Sequence, residues 1–240
     1  MSYLLTYKRF GKNSILIEWP NTIDEMILQS IIEYKSLIEK NIKNKSIINS
    51  YNSLLVSFNS LNNFQKTIDE LKVLYSKKKI SEKLKFYRWY IPVCYENEFG
   101  SDLQDLEKKY NLDQERIVKT HTAFNYKLYN IGFIPGFMYL GGLNKKIHFP
   151  RKRNPILDVK KGSVGIGGSH TGIYPHNSPG GWNIIGNSPV NLFNPNANPP
   201  CFIKPGDEVR FFTISKKDHK KIKSKVESNN YKLVKKLIND

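Results

Sequence analysis

Two cysteines in 240 residues, Cys94 and Cys201, leave little for a disulfide framework, and neither stands in a CxxC pair that would hold zinc. Two reduced thiols in a cytosolic chain are the expectation. No run of about 18 apolar residues exists, which excludes a membrane-spanning helix. The N-terminal MSYLLTYKRFGKNSILIEW alternates polar and apolar residues without a signal-peptide core and reads as mature protein. There is no GK[ST] phosphate loop, no GxGxxG opening a helix, no GxSxG and no HExxH. A P-loop ATP site, a nucleophile-elbow hydrolase and a zinc protease are thereby disfavoured. Arginine is scarce as well. Only Arg9, Arg88, Arg116, Arg151, Arg153 and Arg210 contribute to the 38 basic residues behind a net charge of +17. Base edges and phosphates are read bidentately by arginine, whereas lysine spread along every segment makes a solvated surface. No nucleic-acid partner is expected.

What the sequence does have is glycine and proline in the second half. GFIPGFMYLGGL at 132–143, PRKRNP at 150–155, GSVGIGGSHTGIYP at 162–175, SPGGWNIIGNSP at 178–189 and PGDEVRFF at 205–212 alternate turn formers with short β-type runs. Such punctuation fixes turns that other residues adopt only with strain, and frequent short strands between turns predict a closed β-architecture. The first half is different. Strands at 3–9 and 14–19 flank a Gly11-Lys12-Asn13 turn. A helix capped by Thr22 carries Ile23, Ile27, Ile31, Tyr34 and Ile38 at helical spacing, and a hairpin at 46–51 and 53–58 precedes a helix over 64–77 and a strand over 85–93. After an extra first strand this is the β-α-β-β-α-β order of a ferredoxin-like sandwich. It carries no clustered His, Cys or carboxylates and reads as a packing or docking module.

The expected fold class is therefore mixed: a small ferredoxin-like α+β domain over residues 1–84, a β-barrel over 85–215, and a Lys-rich helical tail over 216–240. Short helices at 102–110 and from Asp113, an N-cap candidate, to His121 precede the barrel strands. His121 ends its helix, where a cation is favoured by the dipole, and His219 in the tail is expected to be exposed. Tyr139, Arg151, His170, Tyr174 and Trp182 are the side-chain types that line a small-molecule site. Arg151 between two prolines can clamp a carboxylate. Gly180-Gly181 in an expected turn can present amides to an oxyanion, while Ser178 lacks a nucleophile's context. Gly165-Ile166-Gly167-Gly168 reads as a strand thinned for close approach rather than as a phosphate loop.

These glycine- and proline-bearing segments resemble, in order and spacing over roughly 90–213, the family of the 5-oxoprolinase B subunit, also described as allophanate hydrolase subunit 1 and including the inhibitor of a sporulation histidine kinase. The pattern GFxPGFxYL, GSVxIxG, TGxYP, SPGGW and PGDxVRF stands at Gly132–Leu140, Gly162–Gly168, Thr171–Pro175, Ser178–Trp182 and Pro205–Phe211. The resemblance implies a small α/β domain followed by a cyclophilin-like barrel. It also implies a cytoplasmic subunit, active only with subunits A and C, in a complex that opens 5-oxo-L-proline to L-glutamate with ATP. ATP would act at the level of the complex. On their own chemistry, rather than through the resemblance, His170 and Tyr174 are expected to be catalytic and Arg151, Tyr139, Gly180, Gly181 and Trp182 to bind substrate, with no metal expected. Two alternatives stay open: a histidine-kinase inhibitor that only binds, and a subunit of an allophanate hydrolase or urea amidolyase-related system. This chain departs from the pattern at His170 (a glutamine in the family), at Ile156 (an arginine) and at Tyr95-Glu96-Asn97 (YGG).

Overall fold

In a computed structural model, which describes residues 3–43, 45–77 and 84–238, the chain divides into two compact units, Met1–Leu84 and Lys85–Asp240.

In the first unit β1 (Thr6–Phe10) and β2 (Ser14–Glu18) form a hairpin whose turn uses Gly11 at φ +66°. Helix α1 (Glu25–Asn41) follows. Its cap is Asp24 rather than Thr22: the Asp24 carboxylate accepts from the Met26 and Ile27 amides at 2.7 and 3.1 Å, satisfying donors that a helix start leaves orphaned. Strands β3 (Lys45–Asn49) and β4 (Ser53–Phe58) and helix α2 (Phe64–Ser76), capped by Asn63, complete the unit. The sheet is antiparallel in the order β1-β2-β4-β3. Alternation on β2 and β4 buries Ile15, Ile17, Leu54 and Val56, and helical spacing buries Ile27, Ile31, Tyr34 and Ile38 of α1 with Ile68 and Leu71 of α2. Each fully buried Ile or Leu contributes about 1.5–3 kcal/mol. Ile23, expected on that face, precedes the helix and is exposed.

The strand expected to finish a ferredoxin-like order, β5 (Tyr87–Val93), belongs to the second unit instead. There α3 (Leu103–Tyr110), α4 (Gln114–Thr122), β6 (Asn125–Ile131), β7 (Met138–Gly141), β8 (Ile156–Val159), β9 (Ser163–Gly167), β10 (His170–Ile173), β11 (Ser178–Gly180), β12 (Asn183–Asn187), β13 (Glu208–Thr213), α5 (Lys216–Glu227) and β14 (Lys235–Leu237) follow in turn. Eight strands make one sheet, β12-β9-β10-β7-β6-β13-β5-β14, and β8 pairs with β11 separately.

This sheet is not the expected closed barrel. β12 and β14 are its edges, because β13 and β14 occupy the two sides of β5. An isolated bridge just past the end of β5, Cys94 to Asn187 with both amides bonded at 2.9 Å, ties that end of the sheet to β12. The tail is also not helical throughout: after α5 the chain returns as β14 beside β5. Asp207 of the PGD segment is 1% exposed and accepts from the Tyr87 amide (2.9 Å), the Trp89 indole (3.0 Å) and the Lys204 amide (3.2 Å). It thereby pins the parallel pair β5–β13. Cys94 and Cys201 are both unbridged. Among the described residues no helix is long and apolar enough to cross a membrane.

Candidate active site

The glycines of β9 and β10 have a physical purpose: they make room for one indole. A Cβ on Gly167 would lie 2.5 Å from Trp182 Nε1. One on Gly172 would meet the Met138 carbonyl at 2.5 Å and the Trp182 ring at 3.1 Å. Real side chains do not approach so closely, so Trp182, 4% exposed, lies flat against strands that only glycine permits. Around it Phe137 stands edge-on at 5.1 Å and Tyr139 at 5.7 Å, and Phe137 meets Tyr174 at 5.1 Å. Edge-to-face aromatic pairs of this kind each contribute roughly 0.5–1.5 kcal/mol beyond burial. With Val159 and Ile184 they form a small separate core.

Arg151 lies over this floor, its guanidinium carbon 5.7 Å from the Trp182 ring centre. Its backbone is held from both sides. Asn183 Nδ2 donates to the Pro150 carbonyl at 2.9 Å, and the Lys152 amide donates to the Gly181 carbonyl at 2.7 Å. Lys152 Nζ also pairs at 2.6 Å with Asp102, whose other oxygen accepts from the Ile184 amide at 2.6 Å. His170 is half-buried on β10. Burial lowers its pKa first, and the charges of Arg151 and His148 lower it further, so the ring is neutral at physiological pH. Tyr174 is 1% exposed and keeps its proton, burial raising its pKa. A Cβ on Gly180 would fall 2.3 Å from its hydroxyl.

The structure thus brings Tyr139, Arg151, His170, Tyr174, Gly180 and Trp182 to one place. Gly180 is not in the expected turn: Ser178–Gly180 is strand β11, paired with β8, and Gly181 follows it. Ser178 Oγ is buried with no hydrogen-bond partner among the described residues, so no base there activates it.

A second layer escaped the sequence reading. His121 is fully buried, stacked on Phe211 at 4.6 Å, and burial lowers its pKa to about 3. The expected dipole-stabilised cation is therefore a neutral ring, because desolvation outweighs the helix end. Its hydrogen bonds fix the tautomer. Thr171 donates its hydroxyl proton to the Gly165 carbonyl (3.0 Å), so it must accept from His121 Nε2 (2.8 Å), and Nδ1 accepts from the Tyr95 hydroxyl (2.8 Å). This directed chain runs from Tyr95 to β9 and locks Thr171, the neighbour of His170. The helical spacing of α4 gave its one signal, a polar residue on the buried face.

The profile of the carboxyltransferase domain, subdomain C and D, matches residues 5–203. The chain is 48% identical over 129 residues to the 5-oxoprolinase B subunit of Bacillus subtilis (strain 168), covering 54% of each protein, so the match spans about half of that relative's own length. It is 40% identical over 165 residues to the 5-oxoprolinase B subunit of Haemophilus influenzae, covering 69% of this chain and 77% of the relative. The solved structure of TTHA0988 superposes with a TM-score of 0.72 at 27% identity, over 84% of this chain and 40% of that longer one.

Proposed function

The chain belongs to the carboxyltransferase domain, subdomain C and D, family, with the B subunits of 5-oxoprolinase, and from that premise we propose that it is itself a cytoplasmic 5-oxoprolinase component of this B type. In this reading it works with subunits A and C in an ATP-dependent complex that opens 5-oxo-L-proline to L-glutamate. Its first unit serves as the docking module, and its second is a cyclophilin-like arrangement with an opened sheet.

A planar lactam is a poor electrophile. Phosphoryl transfer from ATP to the lactam oxygen makes its carbon attackable by water. The C–N bond then breaks with nitrogen leaving as the amine, and a second water releases phosphate from the acyl phosphate, giving the new carboxylate. Such a sequence needs the substrate carboxylate held and its ring oriented. Arg151 supplies a bidentate cation for the carboxylate. Trp182 and Tyr139 supply the apolar floor for the ring. Neutral His170 takes the proton of the attacking water, and the amide of Gly181, just past the paired strand β11, serves the oxyanion. Tyr174, too buried to touch a ligand, acts as a positioning residue that seats Phe137 and Gly180.

The observation that carries this reading is the placement of Arg151 and His170, near enough for the Arg151 charge to depress the His170 pKa, on a floor built by Trp182. The test is glutamate release from 5-oxo-L-proline by this chain with candidate subunits A and C, with and without ATP. ATP-dependent release by the assembly and none by the single chain is expected. Turnover by the chain alone, or none by any assembly, contradicts the reading.

A further inference from the structure

A cavity of about 540 Å³ in the second unit shares Ile156, Val159 and Ile184 with the aromatic cluster but opens onto different polar groups. His219, expected to be exposed, is 6% exposed on the first turn of α5 and packs on Phe99 at 4.4 Å. Asn187 Nδ2 donates to the Lys161 carbonyl at 2.9 Å, so it is Asn187 Oδ1 that receives His219 Nε2–H, also at 2.9 Å. Nδ1 is then a bare acceptor, with no hydrogen bond among the described residues. The ring stays neutral because burial, and then the charge of Lys223, lowers its pKa. Ser163, 5% exposed, has no hydrogen-bond partner for its hydroxyl among the described residues.

The charges around the cavity do not cancel. Its two carboxylates, Glu98 and Asp158, are paired with Lys216 and Lys160. Lys161 and Lys223 line the same cavity and have no carboxylate partner among the described residues. Two uncompensated ammonium groups, a free hydroxyl and a fixed acceptor thus converge on a space lined on one side by Phe99 and three aliphatic side chains. Volumes of roughly 300–1,000 Å³ suit small metabolites.

We propose that this cavity is a second small-molecule site, distinct from the Arg151 cluster, for a small carboxylate that carries an N–H or O–H donor beside its charge. The lysines and Ser163 hold the carboxylate, and His219 Nδ1 accepts from the donor. The proposal stands whether or not the catalytic reading holds, and its test is made without turnover. The full chain carrying Arg151→Ala, which disables the other site, is titrated calorimetrically with 5-oxo-L-proline and L-lactate. Cyclopentanecarboxylate and propionate serve as counterparts without the donor, inorganic phosphate as the unrelated anion, and the His219 imidazole is followed by nitrogen NMR. The expected result is saturable binding of at least one donor-bearing carboxylate, a shift of the His219 Nδ1 resonance, and roughly tenfold weaker binding of its counterpart. Lys161→Gln with Lys223→Gln, on exposed positions, should weaken binding by roughly tenfold or more at unchanged melting temperature. Failure of both donor-bearing acids to bind, binding that survives the double lysine substitution, or phosphate binding as tightly as the carboxylates would overturn it.

Discussion

The two units of this chain pack by opposite means. The first contains one glycine, Gly11, in a turn with nothing within 4 Å of where a Cβ would sit, and its core joins aliphatic faces with an edge-on Trp19–Tyr34–Tyr75 group without any glycine beside the rings. The second holds the other fourteen of the fifteen glycines. Several of these sit where a Cβ would strike Trp182, Tyr174 or a backbone carbonyl at 2.3–2.5 Å. Periodic burial gives a scaffold. Glycine-permitted contact places large aromatic rings flat against strands, leaving polar side chains such as Arg151 and His170 on a rigid floor.

The largest break in that contrast is expected at Asp207. Replacing it by alanine strands the buried Trp89 indole, an unmet donor costing about 1–3 kcal/mol, together with two part-buried backbone amides and a charge-assisted set of bonds. A stability loss of roughly 3 kcal/mol or more is expected for Asp207→Ala by denaturant unfolding. A loss below about 1 kcal/mol would show that these donors find other partners.

His121 should give the second unit a histidine-linked acid sensitivity, which the first, without histidine, lacks. Its folded pKa, about 3, lies below the ordinary 6.5, so on acidification the unfolded chain takes up the proton first. Stability contributed by the neutral ring is therefore complete above pH 6.5 and lost as pH falls from there toward 3, with a limiting slope near 1.4 kcal/mol per pH unit. His121→Gln should flatten the profile in that window, and an unchanged slope would place its origin elsewhere.

Gly172→Ala sharpens the comparison directly. A backbone carbonyl cannot swing aside, so the added methyl should cost about 1–3 kcal/mol and disturb Trp182 fluorescence. Gly11→Ala should cost only about 1 kcal/mol, from its positive φ. Equal costs would remove the distinction between the units. Smallest is Tyr34→Phe, which loses the 2.7 Å bond from its hydroxyl to the Leu71 carbonyl, worth about 1 kcal/mol.

Much of this was legible in the sequence. Period-2 and period-3.6 burial placed β2, β4, α1 and α2, because each element there buries one face against one partner. The candidate site residues stand out in the sequence because aromatic and basic side chains lie beside glycines. What stayed hidden depended on partners far along the chain. β5 pairs with β13 across about 120 positions through Asp207, so its sheet could not be read locally. Barrel closure failed for the same reason, since β14, a three-residue strand of polar and apolar residues, gave no periodic signal before it occupied the side of β5. His219 was misplaced because its burial depends on Phe99 and Asn187, not on the lysines around it in sequence.

The central claim, that the glycine-laced cluster is where the chemistry occurs, is tested most directly by Arg151 in the assembled complex. Its backbone is held by Asn183 and Gly181 independently of its side chain. Arg151→Ala should therefore leave the melting temperature of the chain unchanged while removing a charge-assisted contact worth roughly 1.5–3 kcal/mol, about 10- to 150-fold in turnover. Arg151→Lys should recover only part of that, since an ammonium cannot grip a carboxylate with two prongs. Undiminished ATP-dependent glutamate release together with a lowered melting temperature would make Arg151 a structural partner of Trp182 and contradict the account.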